Sequence, residues 1–217
     1  MRLAVFDCDG TLVDSSHNIV AAMTRAFAGH GLAPPPAARV RRVVGLSLAE
    51  AVEALLPGAE PSLHAALAHA YRDAFRQLRS TARLAPEPMF EGVRELLDTL
   101  RDSGWLLAVA TGKSDRGLAF VLEAHGLSGH FTSLHTADRH PSKPDPSMLL
   151  ACLDDAGAAP HEAVVIGDTV FDIGMGASAG VRAIGVDWGY HEGAELLRAG
   201  AAAIARDAGH LERLLHG

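Results

Sequence analysis

Hydrophobic and polar positions follow two rhythms along most of this chain. Short apolar runs at 3–6, 106–110, 163–166 and 181–186 end in Gly, Asp or Thr and predict strands. Between them apolar residues recur at helical spacing. Val93, Leu96, Leu97 and Leu100 share one face of 91–103, the pattern returns over 118–125, and 145–154 has Pro146 where a first helical turn tolerates it. Strands alternating with helices of this length predict an α/β fold with a mainly parallel, Rossmann-like sheet. The alanine-rich stretch 199–205 reads as a last edge strand and loop.

From 15 to 85 the alternation stops and only helical periodicity remains. Ile19, Val20, Met23 and Phe27 form one apolar face, and Leu63, Leu67, Tyr71, Phe75 and Leu78 form another, with "GLAPPPAA" and "LAPEPMF" as stiff breaks. The expected organisation is an α/β core of residues 1–14 and 86–217 carrying an inserted α-helical cap of residues 15–85. The insertion leaves and rejoins beside the carboxyl end of the first strand, where it can close over a site like a lid.

The polar residues that end the strands carry the chemistry. Asp7 and Asp9 follow the first run in "VFDCDGTLVDS", Thr111 and Gly112 the second, and Asp168 and Asp172 the third in "VVIGDTVFDIG". In parallel sheets ligands gather at the carboxyl ends of strands, so these groups belong at one edge. Two carboxylates on one tight turn repel each other and are costly to desolvate, and a divalent cation offsets both penalties. A hard site with few acids suits Mg²⁺, which binds through one or two carboxylates plus substrate phosphate. Asp7 and Asp168 are the expected pair, and Gly10 permits close backbone approach. Acids after strands also serve as helix caps and turn formers, and a lone DxDG pattern reads that way as readily. The ordered recurrence of such groups at several element boundaries favours a site.

Composition narrows the partners. The formal charge of −7 argues against broad nucleic-acid contact, which needs a concentrated basic surface. No apolar run reaches the length of a membrane span, and the amino terminus passes from an apolar strand straight into acids, so a cytoplasmic, membrane-free protein is expected. Cys8 and Cys152 lie far apart without metal-type spacing and are expected as reduced thiols. Of 19 basic residues only Lys113 and Lys143 are lysine, in "VATGKSD" and "HPSKPDP", which marks both as places where a compact ammonium is wanted.

Taken together, "DCDGTLVDS", "ATGKS", "PSKPDP" and "GDTVFD" resemble the four motifs of the haloacid dehalogenase superfamily, in its phosphoglycolate-phosphatase-like branch with an inserted helical cap. The resemblance covers nearly the whole chain. It implies a Mg²⁺-dependent phosphatase that hydrolyses a small phosphate monoester through an aspartyl-phosphate. Asp7 would be the nucleophile and Asp9 the general acid and then base. Thr111 and the Gly112 backbone would bind phosphate, and Lys143 would neutralise Asp7 and the phosphate. Asp168 and Asp172 would hold Mg²⁺ with the Asp7–Asp9 turn. The partner implied is a small phosphorylated metabolite, and the chain is expected as a monomer or dimer.

Single residues separate the branches of that superfamily. An acid at Asp9 argues for phosphate over halide, which needs no proton donor. A cap without lysine argues against the Schiff-base branch that cleaves phosphonates. A sugar-phosphate mutase and a catalytically weak binding or regulatory member stay as alternatives. In the cap, Arg39, Arg41 and Arg42 precede Gly45. Arg42 and Gly45 are expected to meet the substrate, the arginine gripping a carboxylate, against the alternative of solvated helix-face arginines. Lys113 is read as a helix start outside the catalytic set. His130, His135 and His140 are read as surface or loop residues, and Trp188 and Tyr190 as core or rim packing.

Overall fold

The structure, a computed structural model, describes residues 2–216. Six strands form one parallel sheet: β1 (Arg2–Phe6), β2 (Trp105–Thr111), β3 (Ser133–Thr136), β4 (Ala163–Gly167), β5 (Arg182–Val186) and β6 (Ala203–Ala205), in the order β3-β2-β1-β4-β5-β6. The chain winds outward from β1 to one edge, then returns to β4 and winds to the other. The reversal leaves a crevice beyond the carboxyl ends of β1 and β4, which is where such sheets bind ligands. Buried on both faces, β1 reads as a continuous apolar run; Leu3 and Val5 pack into one layer, Ala4 and Phe6 into the other.

Helices α5 (Val93–Asp102), α6 (Asp115–Ala124) and α10 (Ala208–His216) supply the layer built on Leu97, Leu100, Leu118 and Leu211. Helices α7 (Ser147–Ala156), α8 (Val170–Ala179) and α9 (Gly193–Arg198) supply the other, around Leu149, Cys152, Ile173 and Leu196. Both cysteines are free and buried. Strand β3, "SLHT", was not foreseen. It is a short, half-polar edge strand whose pairing with β2 supplies what its apolar content does not.

The segment between β1 and α5 holds α1 (Ser16–Gly29), α2 (Ala37–Arg41), α3 (Leu48–Leu55) and α4 (Pro61–Ser80). Both helical faces read from the sequence turn inward. Met23 and Phe27 meet Leu67 and Val52 in a cluster separate from the sheet's layers, with Ile19, Val20 and Leu63 around it. Two strands of connection join this segment to the sheet, and they run side by side. Asp14 N–H donates to Pro88 O at 2.9 Å and Phe90 N–H to Leu12 O at 3.1 Å. Just above, the buried Asn18 amide bonds Ala85 on both its N–H and its C=O and donates to Glu87 Oε1 at 2.8 Å. Among the described residues no helix is long and apolar enough to cross a membrane.

Candidate active site

Asp7 stands one residue beyond β1, its N–H still donating to Ile166 O of β4, so the ladder itself aims its carboxylate into the crevice. Lys143 has no solvent exposure and bridges two acids, donating from Nζ to Asp7 Oδ1 at 2.7 Å and to Asp172 Oδ1 at 2.6 Å. Asp172, in the first turn of α8, accepts on Oδ2 from Thr169 N at 3.0 Å and Thr169 Oγ1 at 2.6 Å, an N-terminal capping box that fixes its rotamer. Asp168 accepts from Thr11 Oγ1 and from Tyr190 N–H, both at 2.9 Å. Two glycines make room for it. A Cβ on Gly10, at φ +89°, would lie 2.2 Å from Asp168 Oδ2, and one on Gly189 would lie 2.1 Å from its Cβ.

Asp7, Asp168 and Asp172 are all buried, each offering a ligand oxygen within 4.8 Å of the others. One ammonium faces three carboxylates. Burial, with Asp172 and Asp9 adding to it against Lys143, pushes Asp7 up to about 7, and burial together with Asp7 and Asp172 pushes Asp168 well above the ordinary carboxylate range. Burial opposes the charge on Lys143, but Asp172 and Asp7 outweigh it and raise its pKa. Asp7 Oδ2 is buried without a hydrogen-bond partner. The charge imbalance and this orphaned oxygen fit a divalent cation in an oxygen-only site.

Four aspartates are expected on the cation, whereas the structure gathers three. The Asp9 carboxylate lies outside that cluster because Lys113 Nζ donates to its Oδ1 at 2.6 Å and Ser15 Oγ donates to the same oxygen. Lys113, set aside as a helix start, is thus a nearly buried cation beside Asp9. Asp9 and Glu87 raise its pKa against the desolvation that lowers it. Thr111 ends β2, buried, and its Oγ1 accepts from Lys113 N–H at 3.2 Å. Gly112 is needed for close approach, since a Cβ there would lie 2.6 Å from Leu46 O and 2.7 Å from Gly45 O.

Those two carbonyls bring the helical segment down onto the sheet edge. Gly45, at φ +98°, lines the cavity between the two parts, which suits its expected place near a substrate. Arg42 is a correction. Its guanidinium forms a two-toothed ion pair with Glu195 of α9, at 2.5 and 2.9 Å, outside the cavity. Its carbonyl receives His191 Nε2–H at 3.1 Å, while His191 Nδ1 accepts from Val170 N–H, an arrangement that requires the neutral imidazole. Arg42 therefore ties the segment to the core. Arg39 likewise turns away, toward the carbonyls of Ala54 and Leu55 at the end of α3.

The arginines that do line the cavity lie elsewhere: Arg72, Arg76 and Arg79 on α4, and Arg116 on α6. Their spacing on α4 was legible beside Tyr71 and Phe75, but the apolar face drew the reading. Trp188 and Tyr190 border the site, Trp188 Nε1–H donating to Thr11 O at 3.1 Å. His135 and His140 stay outside it, joined to each other at 2.9 Å and to Asp155 and Ser147.

Residues 4–186 match the model of a family described as haloacid dehalogenase-like hydrolase. A probable phosphatase, IndB, of Dickeya dadantii is 37% identical over 193 residues, spanning 87% of this chain and 82% of that one. A phosphoglycolate phosphatase of Caulobacter vibrioides is 35% identical over 189 residues, spanning 86% of this chain and 79% of its own. Among solved structures, a hydrolase from Pseudomonas syringae superposes with a TM-score of 0.86 at 27% identity, covering 100% of this chain and 98% of its own.

Proposed function

This chain belongs to the haloacid dehalogenase-like hydrolase family and is a phosphoric monoester hydrolase, and we propose that it works through an aspartyl-phosphate on Asp7 with Mg²⁺ at the aspartate cluster. The observation that carries this reading is the pair of separated units on one turn. Asp7 is locked to a buried lysine with one oxygen unpartnered, and Asp9, two residues on, faces the cavity with its own lysine.

Asp7, Asp168 and Asp172 would hold the cation, which supplies charge neutralisation at the phosphoryl oxygens and lowers the repulsion between a carboxylate and a phosphate dianion. Lys143 adds the second positive charge at Asp7 and keeps its carboxylate oriented. Thr111 and the Gly112 backbone would receive phosphoryl oxygens at the end of β2. Asp7 attacks phosphorus, the bond from phosphorus to the ester oxygen breaks, and Asp9 delivers a proton to that departing oxygen. Asp9, now a carboxylate beside Lys113, takes a proton from the water that cleaves the acyl phosphate, which frees Asp7 and inorganic phosphate.

The helical segment 15–85 acts in this reading as a cap pivoting on the paired connections around Asp14–Ser16 and Pro86–Pro88, which excludes water when closed. The substrate is a small phosphorylated metabolite met in the cytoplasm. The names of the relatives point to the phosphate ester of a hydroxy acid, and transfer to a second sugar hydroxyl, as in a mutase, has no comparable support. Acid quenching during turnover of an aryl phosphate should trap a phosphoryl group on the peptide carrying Asp7, and excess chelator should abolish turnover. Full activity in chelator, or trapping on a different residue, would overturn this mechanism.

A further inference from the structure

The cavity above Asp9 and Lys113 has a volume of about 630 Å³. That is the size of site that encloses a drug-sized ligand. At about 30 Å³ per water it holds some twenty waters, and a two-carbon acid would displace few of them. Its walls are not built for water. Ile19, Met23, Val43, Leu84 and the rings of Tyr71 and Phe75, tilted by 50° with centroids 5.4 Å apart, line the cavity beside the polar residues.

Elsewhere on the wall the lining turns cationic. The Arg79 guanidinium sits 4.2 Å above the exposed Phe120 ring, and its Nε is buried without a hydrogen-bond partner among the described residues. Burial and then the neighbouring Arg116 push Arg79 below its ordinary pKa, with Glu87 acting against them. Neither Arg72 nor Arg116 has a carboxylate within ion-pair distance among the described residues. Of the nearby acids, Glu87 accepts from Asn18 and acts on Arg79 without an ion-pair contact, Asp73 pairs with Arg76, and Asp138 accepts from the Asp115 N–H. Like charges held together around an unpartnered donor are unfavourable unless an anion joins them.

We infer that the leaving group is a hydroxy acid larger than glycolate, with an apolar, ring-sized body lying along Tyr71 and Phe75 and a terminal anion between Arg79 and Arg116. This rests on the hydrolase reading above. It places the discriminating contacts on α4 and α6, away from the loop that carries Arg42.

Three esters test it: para-(carboxymethyl)phenyl phosphate, its neutral carboxamide of the same shape, and phosphoglycolate. The carboxylate ester should exceed the carboxamide in kcat/KM by about tenfold to a hundredfold, the range for a hydrogen bond to a charged group, and should exceed phosphoglycolate as well. Arg116→Gln and Arg79→Gln should each shrink the carboxylate-to-carboxamide ratio toward one. Calorimetry with the released para-hydroxyphenylacetate and its amide gives a readout that needs no turnover. The acid should bind more tightly, and the Arg116→Gln protein should lose that preference. A wild-type ratio near one, or a ratio that neither substitution moves, would overturn the inference. Binding of the hydroxy acid through Arg116 without turnover of any ester would sink the hydrolase reading and leave this pocket standing.

Discussion

Lys143 and Arg116 are both cations set near strand ends of one sheet, yet their surroundings are opposite. Lys143 is fully buried, with Asp7 and Asp172 each within 2.7 Å, and those acids are fixed in turn by strand pairing and a helix cap. Arg116 is exposed on the first turn of α6 and shares the cavity lining with Arg79, whose pKa it lowers. The floor of the site is held by side chains anchored on strand pairing and on a helix cap. The wall is held by side chains on helices, free to change without disturbing the sheet. A fixed reaction and an adjustable choice of leaving group follow from that division.

The sharpest way to break the comparison is at the floor. Lys143→Met removes the only ammonium from a cluster of three buried carboxylates, so stability should fall by about 3–5 kcal/mol at neutral pH, the cost of unpairing a buried charge. Turnover should be lost as well. Asp7 and Asp168 already hold protons more readily than ordinary carboxyls, so without the lysine they can neutralise themselves. The loss should therefore be smaller near about pH 5 than near about pH 8. Lys143→Arg should not rescue, because Lys143 is fully buried and a larger, planar guanidinium cannot reproduce the two contacts of its compact ammonium. Urea unfolding of both variants at the two pH values decides it; a surface-like loss below about 1 kcal/mol would mean that Lys143 is not what holds the floor together.

Lys113 sharpens the contrast, since it stands between floor and wall. Lys113→Met takes the cation from Asp9 but leaves Asp7, Lys143 and Asp172 untouched, so kcat should drop by about a hundredfold, the scale of general acid–base assistance, with little change in unfolding free energy. Steady-state kinetics should show a larger loss for alkyl than for aryl phosphates, because good leaving groups need less help from the proton on Asp9. Equal losses on both ester types would detach Lys113 from the proton transfer.

Much of the floor was legible because each of its residues ends an apolar run. The run through Phe6 into "DCDG" and the run through Ile166 into "GDTVFD" announce strand, edge and acid within a few positions. What local pattern does not carry is pairing across the chain. Lys113 meets Asp9 over a separation that only the β1–β2 register closes, so beside Ser114 and Asp115 it reads as a helix start. Arg42 fails for the same reason in reverse: its partner, Glu195, lies in a helix the sequence reading did not resolve. Asp9 was placed on the cation by its neighbourhood to Asp7, and Lys113 and Ser15 turn its carboxylate the other way.

The smallest effect concerns the seam where wall meets floor. Arg42 is half exposed and lies outside the cavity, and its guanidinium holds Glu195 down to about 2. Arg42→Gln should therefore change kcat/KM by less than about fivefold, as expected of an exposed pair, and by the same factor for carboxylated and neutral esters. A selective loss on the carboxylated ester would return Arg42 to the substrate. His191 tests the same seam by pH. Burial and the nearby Arg42 push its pKa below the ordinary histidine value of 6.5, so the unfolded chain binds the proton more readily than the folded one. Its contribution to stability is present above pH 6.5 and is lost as pH falls below that value. The raised carboxyls at Asp7 and Asp168 act in the opposite sense, since they stabilise the fold as pH falls. The measurement is thus the difference between wild type and His191→Gln at each pH, in which the carboxyl terms cancel. The glutamine amide can still accept from Val170 N–H or donate to Arg42 O but cannot take up a proton, so the wild-type advantage should shrink between about pH 7.5 and about pH 5.5. A constant difference across that range would show that the seam does not depend on a neutral imidazole.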